Sequence, residues 1–126
     1  MPRKSSPGLT DAELRLMDVL WDKGAGTVSE VVEALPKSLP LAYSTVLTTL
    51  RILENKGYLT HRQEGRAFIY RPVIGRDQAR QSAVSHLVRR FFDGSRDQLM
   101  LRLLEDRGIG AREMKRVRRL IEEDKS

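Results

Sequence analysis

The side chains best equipped for chemistry lie between Leu41 and Pro72: Ser44, Thr45, Thr48 and Arg51, followed by Arg62, Arg66 and Arg71. Ser44, Thr48, Arg51 and Asn55 recur at spacings of three and four, so on a helix they share one face. Thr45, Leu47 and Ile52 flank that face, and Val46, Leu50 and Leu53 fall opposite it. Hydroxyls donate and accept, a guanidinium forks, and Leu47 or a threonine methyl offers apolar contact. These are the groups that meet base edges and phosphates in a nucleic-acid groove. An ordinary helix with a solvated polar face is the plain alternative, but such a face is usually rich in Glu and Lys. Tyr43 to Ile52 contains neither, and instead holds three Thr and one Ser. Threonine is a mediocre helix former, so its density here asks for another reason.

The segment after that helix adds cations. Tyr58–Arg62 and Ala67–Arg71 read as two strands joined through a tight turn at Glu64-Gly65, with Arg62 and Arg66 beside the turn and His61 and Gln63 nearby. Arginines at a hairpin tip suit phosphates or the minor groove. They also suit a solvated edge that resists aggregation, and Glu64 argues mildly against deep groove insertion. Phe68 and Tyr70 read as packing rather than base stacking.

The positioning elements are legible from their caps. Thr10-Asp11-Ala12-Glu13 and Thr27-Val28-Ser29-Glu30 both have capping-box spacing. The first opens a helix with Leu14, Met17, Leu20 and Trp21 as its apolar stripe, ended at Lys23-Gly24. The second opens a helix with Val28, Val31, Val32 and Leu35 on one face, stopped by Pro36. A third helix is placed at Ser44–Lys56, closed by Gly57. After Gly75 the pattern is helical only. One helix is expected over Asp77–Phe92, a second after the Ser95-Arg96-Asp97-Gln98 cap, and a third over Ala111–Glu123 beyond a break at Gly108-Ile109-Gly110.

These later helices carry narrow apolar stripes: Val84, Leu87, Val88 and Phe91; Leu99, Met100, Leu103 and Leu104; Met114, Val117, Leu120 and Ile121. Helices that short are marginal alone and need tertiary or quaternary cover. A second copy of the chain is the natural cover, and a twofold dimer its commonest form.

The totals exclude more than they assign. The 126 residues suffice for one good core plus an assembly segment. No apolar run approaches the ~18–20 residues of a membrane span, and the basic start MPRKSSPGLT lacks an apolar signal-peptide core, so a cytoplasmic protein is expected. No cysteine is present, which removes disulfides and thiolate metal sites, and two histidines 25 residues apart supply a metal cage poorly. With no glycine-rich phosphate loop, no thiol nucleophile and no plausible Ser-His-Asp set, no catalytic residue, metal or cofactor is assigned and an enzyme is not expected. Net charge is +6, with a sequence pI near 10.1, as a polyanion partner requires. Yet residues 76–126 hold most of the excess, so charge alone supports nucleic acid weakly.

Taken in order, the pieces resemble the penicillinase-repressor (BlaI/MecI/CopY-type) family of bacterial transcription regulators. The matching residues are Leu9-Thr10-Asp11-Ala12-Glu13-Leu14 with Met17, Leu20 and Trp21; Thr27-Val28 through Leu35; and, most specifically, Ala42-Tyr43-Ser44-Thr45-Val46-Leu47-Thr48-Thr49-Leu50. Lys56-Gly57, Gly65-Arg66-Ala67 and Tyr70-Arg71-Pro72 complete the set. The resemblance implies a homodimeric repressor on a palindromic operator. It places Ser44, Thr45 and Thr48 where the family contacts bases, and Arg66 in its wing.

Two departures stand out. The Asn-Phe bond cut by a regulatory protease in β-lactam-responsive members corresponds here to Arg102-Leu103, and the cysteine cluster of copper-responsive members is absent.

The expected architecture is therefore mostly α with a small β-hairpin. It consists of a flexible arm over 1–8, a winged helix-turn-helix over 9–74 and a helical dimerisation segment over 75–126. Tyr43, Ser44, Thr45, Thr48, Arg51, Arg62 and Arg66 are the candidate contacts to double-stranded DNA. The competing expectation is a winged helix used only for protein interaction, its basic face solvated.

Overall fold

Thr10 and Thr27 open the first two helices by the same device. Each threonine hydroxyl accepts from the backbone N–H three residues on, and each glutamate there, Glu13 or Glu30, accepts from the threonine's own N–H at 2.9 Å. The computed structural model describes residues 8–106 and 110–125. Within these, the order is α1 (Asp11–Lys23), β1 (Gly26–Thr27), α2 (Val28–Ala34), α3 (Tyr43–Asn55), β2 (Leu59–Glu64), β3 (Ala67–Pro72), α4 (Arg76–Phe92), α5 (Arg96–Glu105) and α6 (Ala111–Lys125). The expected arm, up to residue 7, and the Gly108-Ile109 part of the expected break lie outside the described residues.

Residues up to Val84 form one compact unit. Its core joins Leu16, Met17 and Leu20 of α1, Val31 of α2, Val46, Leu50 and Leu53 of α3, and Tyr70 of β3, all essentially removed from solvent. Burying side chains of this size stabilises by roughly 1.5–3 kcal/mol each. The α1 stripe differs from expectation by one position. Leu16 is buried and Leu14 is 43% exposed, because the inward row is 13, 16, 17, 20, and Leu14 lies about 100° off that row. Trp21 is only half-buried and Val32 packs at the core's margin.

The sheet has three strands in the order β1-β3-β2, all antiparallel. β1 is two residues long, pairing Gly26 with Tyr70 and Thr27 with Ile69. Such a strand is too short to show any alternation in sequence. The hairpin turn is Gly65-Arg66 rather than Glu64-Gly65, since Glu64 pairs with Ala67 in the ladder. Gly65 has φ +62°, the backbone region a two-residue hairpin needs at its first position and glycine adopts freely. The shift puts Arg66 in the turn itself.

Residues from Ser85 form the second compact unit. Ser95 caps α5, accepting from the Gln98 N–H at 3.2 Å, and Asp93-Gly94, both with positive φ, end α4. No residue of α5 is buried.

Candidate nucleic-acid interface

α3 is fixed from both ends. Its inner face, Val46, Thr49, Leu50 and Leu53, sits in the core. At its C-terminal end, the Lys56 ammonium donates to both Glu13 oxygens at 2.8 and 3.1 Å, with both side chains largely buried. Breaking such a pair on one side strands a buried charge, a cost of roughly 3–5 kcal/mol. The Glu13 carboxylate therefore does two jobs, capping α1 and holding α3 against it.

What this leaves facing outward is Tyr43, Ser44, Thr45, Thr48, Arg51 and Asn55, all exposed, with Leu47 half-buried among them. The Ser44, Thr45 and Thr48 hydroxyls have no hydrogen-bond partner among the described residues. Thr49, the third threonine of the run, has a different role. It is buried and its hydroxyl donates to the Thr45 carbonyl at 2.7 Å. Part of the threonine density that looked functional is thus internal to the helix.

The pKa of the Tyr70 hydroxyl is pushed up chiefly by burial and then by the Glu54 carboxylate, with the nearby positive charge of Arg51 opposing. The wing is tied to α3 through His61, whose Nδ1 lies 2.8 and 2.9 Å from the two Glu54 oxygens. The same ring packs on Phe68 and Tyr70 at 4.7 and 5.3 Å between centroids. Arg62 forks onto Glu64 at 2.7 and 2.9 Å. Both partners are more than half exposed, so this pair is worth only about 0–1 kcal/mol, and a phosphate can take Glu64's place. Arg66, at the turn, and Arg71 are exposed and make no ion pair among the described residues.

Between α3, the start of α2 and the wing runs an open hollow of about 390 Å³, lined by Ser29, Tyr43, Leu47, Arg51, Arg66 and Phe68 together with Thr27, Val28 and Ala67. No carboxylate lines it among the described residues. Two cations, three hydroxyls and aromatic edges in a concave, acid-free surface suit an anionic polymer with aromatic bases. Sequence reasoning brought Arg51 and Arg66 to one surface but missed Thr27, Ser29 and Phe68. The only signal for the first two was their place in a capping box, where the caps explained them fully.

The candidate assembly residues lie on α4, α5 and α6. Leu87, Phe91, Met100, Leu103, Leu104, Val117, Leu120 and Ile121 are exposed, as is Val84 within the first unit. Leu99 and Met114 are half-buried, and Val88 is already covered at 3% exposure. Arg102 and Leu103 both lie exposed inside α5. No described helix is long and apolar enough to cross a membrane.

The fold and site together define a mostly α protein with a winged helix-turn-helix, the class that offers a helix and a hairpin on one face. The penicillinase repressor family matches residues 9–123, and the chain belongs to that family. It is 31% identical to the penicillinase repressor of Bacillus licheniformis, across 98% of this chain and 96% of that protein. It is 36% identical to the transcriptional regulator BlaI of Mycobacterium tuberculosis, across 91% and 83% respectively. The solution structure of the DNA-binding domain of the repressor BlaI superposes with a TM-score of 0.52 at 37% identity, covering 60% of this chain and 93% of that domain.

Proposed function

We propose that this chain is a sequence-specific DNA-binding transcriptional repressor that acts in the bacterial cytoplasm as a homodimer on a palindromic operator. α3 enters the major groove with Ser44, Thr45 and Thr48 toward base edges. Tyr43 and Arg51 lie beside it, and Arg62 and Arg66 hold the backbone from the wing. One observation carries the reading: three unpartnered hydroxyls stand on the exposed face of α3, the helix whose Tyr43, Leu47 and Arg51 line a hollow with no carboxylate among the described residues. Family membership and the likeness to the BlaI DNA-binding domain support it. The exposed apolar stripes of α5 and α6 support the dimer, because a second copy covers them without any new sequence.

Binding-site selection from random duplexes tests the reading. The wild-type chain is expected to enrich a palindrome with half-sites about one helical turn, ~10 bp, apart or a multiple of it. Thr48→Ala is expected to enrich a different or relaxed base at one position in each half. Enrichment of no sequence, with binding that vanishes as salt rises, would leave only the protein-interaction alternative.

A further inference from the structure

The start of α4 is tethered to α1 by a small polar staple. Trp21 Nε1 donates to the Ile74 carbonyl at 2.9 Å, across 53 residues of chain. The Arg76 guanidinium lies 5.2 Å above the Trp21 ring, within cation–π range, and donates to Asp22 Oδ1 at 3.0 Å, with longer contacts to Asp18. Apolar backing of this staple is thin: Ala79 is buried against the core and Ile74 packs at its margin. A hollow of about 310 Å³ lies beside it, walled by Leu14 and Trp21 of α1 and by Ala79 and Ala83 of α4. The first turns of α4 are therefore held to α1 by this small apolar contact and by the polar contacts of Trp21 and Arg76, which do not line the hollow between α3 and the wing.

Resting on the dimeric reading above, we infer that Trp21 and Arg76 are positioning residues that set which half-site separation the repressor accepts. α4 is the only covalent path from the head to the assembly helices, so fixing its first turn fixes the departure angle. Inserting one base pair turns the second half-site by about 35°. A fixed departure angle cannot follow that turn, and a loosened one can.

The test measures the full-length chain on operators with the selected spacing, with one pair inserted or removed, and on a single half-site duplex. For the wild type, a one-pair change is expected to weaken binding by about 100-fold, because simultaneous engagement is lost. In R76A that penalty should shrink to about tenfold or less, with half-site affinity unchanged and optimal-spacing affinity lowered by about threefold, as preorganisation is lost. R76K keeps the charge but not the fork, and W21F keeps the ring but not the donor; both should fall between. A merely structural role would instead lower affinity equally at every spacing and on the half-site, and that result overturns the proposal. An undiminished one-pair penalty in R76A overturns the proposal alone. A wild type indifferent to spacing overturns it together with the dimeric reading.

Discussion

The two compact units use their apolar residues differently. Up to Val84, leucine, valine and methionine side chains from three helices close over one another, and eight large side chains are fully buried. From Ser85 onward only Val88 is buried among the described residues, while Phe91 is 69% exposed and Leu120 57%. Both regions have amphipathic helices of similar length, so propensity does not separate them. Cover does: α1, α2 and α3 meet in three dimensions, whereas α5 and α6 retain apolar faces that water cannot satisfy. The first unit encloses its large apolar side chains, and the second leaves most of its own exposed.

The sharpest way to break this contrast is to charge the tail. Leu103→Asp with Leu120→Asp should convert a dimer to a monomer in analytical ultracentrifugation and weaken full-operator binding by about 10²–10⁴-fold. Half-site binding should stay intact. A variant that remains dimeric would show that the exposed stripes are not the cover site.

Next comes the head's own core. Leu50→Ala, at a fully buried position, should cost about 2–5 kcal/mol. Its melting shift should be independent of protein concentration, whereas melting of the tail should rise with concentration. Identical concentration dependence in both would mean the units do not differ as described.

Within the head, Arg66→Ala should weaken binding to all duplexes and lower the slope of log affinity against log salt by about one. An effect confined to one base position would instead make Arg66 a reader of sequence.

The smallest effect concerns alkali. Burial raises the hydroxyl pKa of Tyr58 and Tyr70 above 10.0, with Glu13 and Glu54 adding to it. Raised folded-state values mean that their contribution is complete below pH 10 and is lost as pH climbs through the folded values. All three tyrosines lie in the head, so head melting should fall above about pH 10 while dimerisation responds less. Tyr70→Phe should blunt the head's response.

The legibility of the fold and site in the sequence depends on the range of each interaction. The capping boxes at Thr10 and Thr27, the glycine at the hairpin and the 3.6-residue stripes act within four residues, and the sequence displays them directly. The outward row of α3 was equally readable, because one buried face determines the opposite one. Errors arose where a local rule was ambiguous by one position, as with Leu14 against Leu16 and with Glu64-Gly65 against Gly65-Arg66. They arose also where a residue served two purposes, as Thr49 and Glu13 do.

By itself, then, the sequence determined the order of the six helices and the two longer strands, the family resemblance, and a helix whose polar face avoids acids. Only the tertiary structure decided that β1 pairs with β3, that Glu13 receives Lys56, that Glu54 holds His61 and that Trp21 and Arg76 staple α4 to α1. The physical reason is separation along the chain. Except for the Glu54–His61 pair, which joins a helix to a strand across the Gly57 turn, these partners stand more than forty residues apart. No periodicity links such residues until the apolar core has closed and brought their polar groups within hydrogen-bonding reach.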